Sequence, residues 1–220
     1  FLTFLPSYIE GIIPMATYLL VGAVIVLAVV SSTRLSVLRV LSLSSTGLFF
    51  VLIAAAWQAS GVGVSGLLGT MSGLSRYLAN LDRFILPIND YHGFYLSWWF
   101  AWSIMIGQFV ARFVNGMAAW KLLIAILIVP SIPIALWFSV LFGYFAGGTP
   151  VSASITLLMI VVGILFVINS LDSLTRLYSQ NLGLTVEALG RRRYVLTHAG
   201  ILASLVVSVS YTHLRAHETP

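Results

Sequence analysis

The sequence predicts an all-α polytopic membrane protein with about six membrane spans and one outer amphipathic helix. Of its 220 residues, 60% are hydrophobic and 8% are charged, whereas a soluble domain carries roughly 25% charged residues. The mean hydropathy is +1.04, and the apolar residues form six long runs. Helices are predicted because a helix satisfies its own backbone hydrogen bonds inside a bilayer.

The predicted spans follow the apolar runs, whose lengths are near the roughly 20 residues that cross the hydrocarbon core. They cover residues 12–30, 40–62, 94–111, 122–145, 152–171 and 194–209. Between the second and third spans, apolar residues recur every three or four positions over residues 67–85. This spacing predicts a helix that lies along the membrane surface and ends before Pro87.

Both ends of the chain are unusual for a membrane protein. The chain opens in FLTFLPSYIEGIIP, without an initiator Met or a basic signal sequence, which indicates a fragment that lacks its true start. The other end turns abruptly polar, SYTHLRAHETP. We expect residues 1–207 to form the membrane domain and residues 208–220 to be a non-native tail.

The basic residues predict the orientation of the spans. Loops rich in Lys and Arg stay in the cytoplasm, and eight basic residues lie on alternate loops: Arg34, Arg39, Arg112, Lys121, Arg176, Arg191, Arg192 and Arg193. We therefore expect a multi-pass protein of the plasma (inner) membrane, with these loops cytoplasmic and the amphipathic helix on the outer face. Because the charges are spread among apolar runs, the partner they indicate is the lipid bilayer and not nucleic acid.

Three tryptophans lie within two turns of the third span, in YLSWWFAWSIMIGQFVARF. Trp98 and Trp102 are four residues apart and share a helix face, while Trp99 lies about 100° round the axis. One interpretation is the aromatic belt at the level of the lipid head groups. The other is a wall of indoles that faces a cationic ligand, and a quaternary ammonium group suits it best because it offers no hydrogen-bond donors.

Asp172 is the second unusual residue, because it follows a long uncharged stretch near the end of its span. A carboxylate there usually faces the protein interior, a water path or an ion. The alternative is a position at the membrane edge, paired with Arg176 at i+4. Asn169, Ser170 and Ser173 add oxygen atoms of the kind that Na⁺ prefers.

Helix-breaking residues occur in two spans. Gly107 is expected to interrupt the third span, and Pro130 and Pro133 the fourth. Broken helices near the midplane are where transporters hold substrates and ions, although structural kinks are also common. The sequence shows no histidine or cysteine spacing for a metal, no catalytic triad and no nucleotide-binding βαβ unit, so we expect no enzyme and no cofactor.

The segment SWWFAWSIMIGQFVARFVNG resembles the signature helix of the betaine/choline/carnitine transporters. That family has a Trp-Trp-x-x-Trp motif followed by a glycine and an Ala-Arg pair, and the positions in register here are Trp98, Trp99, Trp102, Gly107, Ala111 and Arg112. LIVPSIPIALWFSVLFG is similar to the family's next span. LFVINSLDSLT is similar to its Thr-Ser-x-Asp-Ser segment.

The resemblance implies part of a leucine-transporter-type bundle of two inverted repeats, mainly its second half. Trp99 would contact the substrate ammonium, with Trp98 and Trp102 beside it and Met105 where the family has an aromatic residue. Ser170 would bind sodium, flanked by Asn169, which replaces the family's Thr, and by Ser173. Gly107, Arg112 and Asp172 would be structural or gating residues. Relatives in this family are often trimers.

Together these features predict a secondary active transporter, either a symporter or an exchanger, for betaine-, choline- or carnitine-like quaternary ammonium compounds. It would work by alternating access on a small zwitterionic or cationic solute, coupled to Na⁺ or H⁺. Two alternatives stay open. One is a transporter of another amine or amino acid on the same fold, and the other is a non-transporting membrane scaffold or receptor subunit.

Overall fold

The structure is a computed structural model that describes residues 14–114 and 116–216. Within these ranges, the side chains not described are those of residues 14–17, 74, 77, 84, 91, 98, 101, 105, 109, 112, 113 and 207–216. The described residues form α-helices and no strands. The helices are α1 Pro14–Ser32, α2 Leu35–Ser60, α3 Val64–Ala79, α4 Asp90–Phe113, α5 Ala119–Ile128, α6 Ser131–Gly147, α7 Ala153–Asn181, α8 Val186–Leu189 and α9 Arg191–Ala216.

Three helical segments of the described chain are long and apolar enough to cross a membrane. They are Leu35–Ser60, Ala119–Gly147 (which joins α5 and α6) and Ala153–Asn181. They correspond to the second, fourth and fifth predicted spans, so the prediction of a helical membrane protein is confirmed. Helices α1, α4 and α9 cover the other three apolar runs. The count of six spans and the inverted-repeat arrangement stay predictions.

The predicted surface helix is divided into two pieces. Helix α3 ends at Ala79, and a 3-10 turn follows over Leu81–Phe84, so the helical segment ends before Pro87 as expected. The Asn80 side-chain amide donates to the carbonyl of Arg76 at 2.7 Å, at the point where α3 ends. The position of this helix along the bilayer surface stays a prediction.

The two expected helix breaks have different outcomes. Helix α5 ends at Ile128 and α6 begins at Ser131, because Pro130 and Pro133 have no N–H group to donate to the carbonyls four residues earlier. The Ser131 hydroxyl donates to one carbonyl of this region, that of Leu127. The expected break at Gly107 is wrong: α4 continues through it, since glycine weakens a helix by about 1 kcal/mol but keeps its backbone N–H.

The chain forms two compact units. The first unit comprises residues 1–46 and 161–220, and α1 packs on α9 within its described part. Its buried centre joins Ile25 and Val29 of α1 to Tyr194 and Leu202 of α9. A second cluster joins α1 to Ile168 of α7. Ala28 of α1 belongs to this second cluster and is fully buried.

The second unit comprises residues 47–160, in which α3 packs on α6. The Tyr144 hydroxyl of α6 donates to the carbonyl of Ala56 in α2 at 2.9 Å. Gly143 allows a close approach, because a Cβ atom placed there would lie 3.0 Å from a methyl group of Val62. Helices α3 and α6 border an apolar groove of about 700 Å³, lined by small residues of α3 and phenylalanines of α6.

Candidate functional site

The predicted substrate residues lie on one uninterrupted helix, α4. Asn89 fixes its start, since its side-chain oxygen accepts the backbone N–H of His92 at 2.8 Å. From this start, residues 98, 102 and 105 fall on one face, because positions three and four apart are neighbours on a helix. Helix α4 is therefore continuous over all the positions predicted to bind substrate.

The surroundings of the indoles are only partly described. Trp99 is 60% exposed and Trp102 is half-buried. The side chains of Trp98, Met105 and Arg112 lie outside the description. A Cβ atom added at Gly107 would meet no atom within 4 Å. Their role in binding a substrate stays a prediction.

Asp172 is fully buried in α7 and forms an ion pair there. Its Oδ2 accepts Nε of Arg176 at 3.1 Å, and its Oδ1 accepts Nη2 of Arg176 at 3.3 Å. Oδ1 also accepts the Ser31 hydroxyl of α1 at 2.7 Å. The i+4 pairing is therefore present, and its place at a membrane edge stays a prediction.

The guanidinium of Arg176 also binds the end of α1. Its Nη2 donates to the carbonyl oxygens of Ser31 and Arg34, each at 2.9 Å. The last carbonyls of a helix lack intrahelical donors and carry partial negative charge. Arg176 thus neutralises Asp172 and caps the end of α1 with one side chain, which ties α1 and α7 together.

The predicted ion ligands of α7 differ in how far their side chains are exposed. Asn169 is half-buried, and its Oδ1 accepts the Ser42 hydroxyl of α2 at 3.0 Å. Ser170 is exposed and Ser173 is half-buried. Among the residues that the structure describes, no group of three His, Cys, Asp or Glu side chains could hold a metal ion.

Sequence reasoning missed a second buried polar cluster, where α1, α7 and α9 meet. The hydroxyls of Ser32 and Tyr194 lie 3.0 Å apart. His198 is fully buried, with Nε2 2.9 Å from the carbonyl of Leu184 and Nδ1 2.9 Å from the Tyr178 hydroxyl. A carbonyl can only accept, so Nε2 carries the proton and, in a neutral ring, Nδ1 accepts from Tyr178. Tyr194 and His198 are four residues apart on α9, but Ser32 and Tyr178 come from other helices, so no sequence spacing points to the whole cluster.

The chain is similar to several transporters. It is 29% identical over 127 residues to a glycine betaine/proline/choline transporter of Vibrio parahaemolyticus, which covers 54% of this chain and 21% of that protein. It is 42% identical over 53 residues to a glycine betaine transporter of Bacillus subtilis, covering 24% of this chain and 10% of that protein. It is also 30% identical over 76 residues to an uncharacterized transporter of Mycobacterium tuberculosis, covering 30% of this chain and 13% of that protein.

These similarities confirm the resemblance predicted from the Trp motif. The matches span about a fifth or less of the length of these relatives. No family model matches the chain. No solved structure matches it either. All three relatives are named as transporters.

Proposed function

We propose that the complete protein is a secondary active transporter of betaine- or choline-like quaternary ammonium compounds. The observation that carries this proposal is the similarity to proteins named for glycine betaine, proline and choline transport. Three tryptophans of α4 supply the matching chemistry. Other amines and amino acids on the same fold form the second candidate, since one of the relatives is also named for proline.

The indoles of α4 suit a substrate that cannot donate hydrogen bonds. A trimethylammonium group is attracted to the negative face of an aromatic ring within about 6 Å of its centre. Trp99 would contact the ammonium, with Trp98, Trp102 and Met105 along the same pathway. Each ring contact would contribute roughly 0.5–2 kcal/mol, so several rings together select a quaternary cation over a neutral solute.

The coupling ion would be Na⁺ or H⁺, and α7 constrains how it can bind. Arg176 compensates the charge of Asp172, so this carboxylate is not a free anion that could hold a cation. Sodium would then rest on neutral oxygens, with Ser170 as the first ligand and Asn169 and Ser173 beside it. Alternating access would accompany this binding, with Gly107, Arg112 and Asp172 as structural or gating residues. Assembly as a homo-oligomer belongs to the same proposal.

Uptake of labelled glycine betaine by vesicles that contain the full-length protein tests the proposal. We expect Trp99→Ala to raise the half-saturating betaine concentration about 2- to 30-fold, the equivalent of one ring contact. Trp99→Phe should keep part of the affinity. Trp120→Ala is the matched control, because Trp120 is also exposed, at 62%, and lies outside the predicted pathway. Repeating the assay with sodium replaced by potassium tests the coupling ion.

Each competing function predicts its own outcome, either in the uptake assay or in the assembly and ligand affinity of the Trp99→Ala variant. Uptake of alanine without uptake of betaine or choline would assign the protein to another substrate class. A Trp99→Ala variant that changes assembly and leaves ligand affinity unaltered would indicate a scaffold or receptor subunit. Equal uptake in sodium and potassium would remove sodium as the coupling ion and leave the substrate class intact.

A further inference from the structure

Five exposed arginines gather at one end of the first unit, and we refer to them as the arginine patch. They come from the turn after α1, the start of α2 and the start of α9. They are Arg34, Arg39, Arg191, Arg192 and Arg193.

Contacts between helices bring these separate segments together. The carbonyl of Arg34 accepts Nη2 of Arg176 in α7 at 2.9 Å. Two residues before Arg34, the Ser32 hydroxyl lies 3.0 Å from the hydroxyl of Tyr194, the residue that follows Arg193. The turn after α1 and the first turn of α9 are therefore neighbours, and their cations share one surface.

Little negative charge balances the arginine patch within the described side chains of this unit. The acids there are Asp172, which is buried and paired with Arg176, and Glu187, which is exposed. Five cations thus share a surface with one exposed carboxylate. Three of the cations also occupy the first turn of α9, where the positive end of the helix dipole repels them. An anion from outside the described chain would relieve both effects.

Exposed apolar residues lie directly beside the arginine patch. Leu196 is 66% exposed and follows Arg192 by four positions on α9, while Leu43 is 69% exposed and follows Arg39 by four on α2. Residues four apart are neighbours on a helix surface. Each pair therefore offers a cation and, next to it, an apolar side chain.

We propose that the arginine patch binds the head groups of anionic phospholipids, with their acyl chains beside Leu196 and Leu43. An anionic head group with an apolar tail matches both members of each pair. Basic residues near a membrane surface attract anionic lipid by about fivefold in affinity each. The inference depends on membrane embedding and not on the transported solute.

Native mass spectrometry of the full-length protein, titrated with phosphatidylglycerol or phosphatidylcholine, tests the proposal. We expect the unsubstituted protein to bind phosphatidylglycerol more tightly. The double variant Arg191→Gln/Arg192→Gln should weaken that binding roughly 5- to 25-fold, as expected from about fivefold per cation. Its binding of phosphatidylcholine should not change. The control Arg76→Gln/Arg83→Gln removes two exposed arginines of the second unit and should leave the preference unchanged.

A second variant separates loss of charge from loss of folding. Arg191→Lys/Arg192→Lys keeps both cations and should keep the preference for phosphatidylglycerol. Three results would overturn the proposal. One is equal binding of the two lipids by the unsubstituted protein, as expected if another part of the protein or an acidic peptide covers the patch. The second is weaker binding of phosphatidylglycerol by the lysine variant. The third is a control variant, Arg76→Gln/Arg83→Gln, that loses as much phosphatidylglycerol binding as Arg191→Gln/Arg192→Gln.

Discussion

At the scale of single residues, Asp172 and Arg176 show how a charge is accommodated inside an apolar helix. Both carboxylate oxygens of Asp172 have hydrogen-bond partners, and the described part of the chain contains no buried side-chain nitrogen or oxygen without one. Burial of a compensated pair adds little net stability. Removal of one partner is costly, however, because the other charge is then left in the interior.

We therefore expect Asp172→Ala to destabilise the protein strongly. The loss should be about 3–5 kcal/mol, the usual cost of breaking a buried pair, because Arg176 loses its counter-charge and Ser31 loses its acceptor. Asp172→Asn should cost less, since the amide oxygen can still accept from Ser31. Thermal or denaturant unfolding of the purified protein measures the difference. The matched control is Asp82→Asn, an exposed acid of the 3-10 turn, and an equal loss there would contradict this explanation.

At the scale of elements, the short helix α8 depends on its first turn. The Thr185 hydroxyl accepts the N–H of Ala188. The pKa of Glu187 is lowered by a hydrogen bond from its own backbone N–H and, next, by one from the Thr185 side chain. A lowered pKa in the folded state means that the charged carboxylate stabilises the helix. This contribution is complete above the ordinary glutamate value of about 4.3 and is lost as pH falls through the folded pKa below it.

Acid should consequently loosen α8 selectively. Amide hydrogen exchange, corrected for its intrinsic pH dependence, should show falling protection over residues 186–190 as pH decreases below about 4.3. Glu187→Gln cannot titrate and should give a flat response over the same range. Thr185→Ala should lower protection at neutral pH as well, by roughly 1 kcal/mol for a lost helix cap. An unchanged acid response in Glu187→Gln would assign the effect to another group.

The elements themselves were predictable because length and apolar content determine which segments can form membrane helices. The ends of the helices were less predictable, because local hydrogen bonds decide where a helix ends. Helix α7 continues through the Asp172–Arg176 pair, and α4 continues through Gly107. Contacts distant in sequence were not predictable. Ser31 and Asp172 are separated by 141 positions, and nothing in either segment specifies the other. The Trp motif of the candidate site came from a sequence pattern, whereas the pairing of Asn169 with Ser42 required the packed helices.

At the scale of the whole molecule, the distribution of charge predicts which loops face the cytoplasm. Most of the basic residues lie in or within a few residues of the turns after α1, after α4 and before α9, and positive charge resists movement across the membrane during insertion. The segments between α2 and α4 and between α6 and α7 should then face outward. These 220 residues contain no cysteine, so a single cysteine introduced here reports on its own loop once thiols elsewhere in the full-length protein are replaced.

We expect cysteines on opposite faces to react from opposite sides of a sealed membrane. Met117→Cys and Leu182→Cys should react with a membrane-impermeant thiol reagent only after the cytoplasmic side is opened, whereas Ile88→Cys and Val151→Cys should react in intact cells. All four native side chains are exposed, at 49%, 64%, 61% and 41%, so burial in the fold should not limit the reaction. If all four cysteines reacted from the same side, the prediction that α4, the α5–α6 segment and α7 each cross the membrane would be wrong. A fully inverted pattern would keep the spans and reverse the orientation, because span number depends on apolar length and orientation on the placement of arginine and lysine.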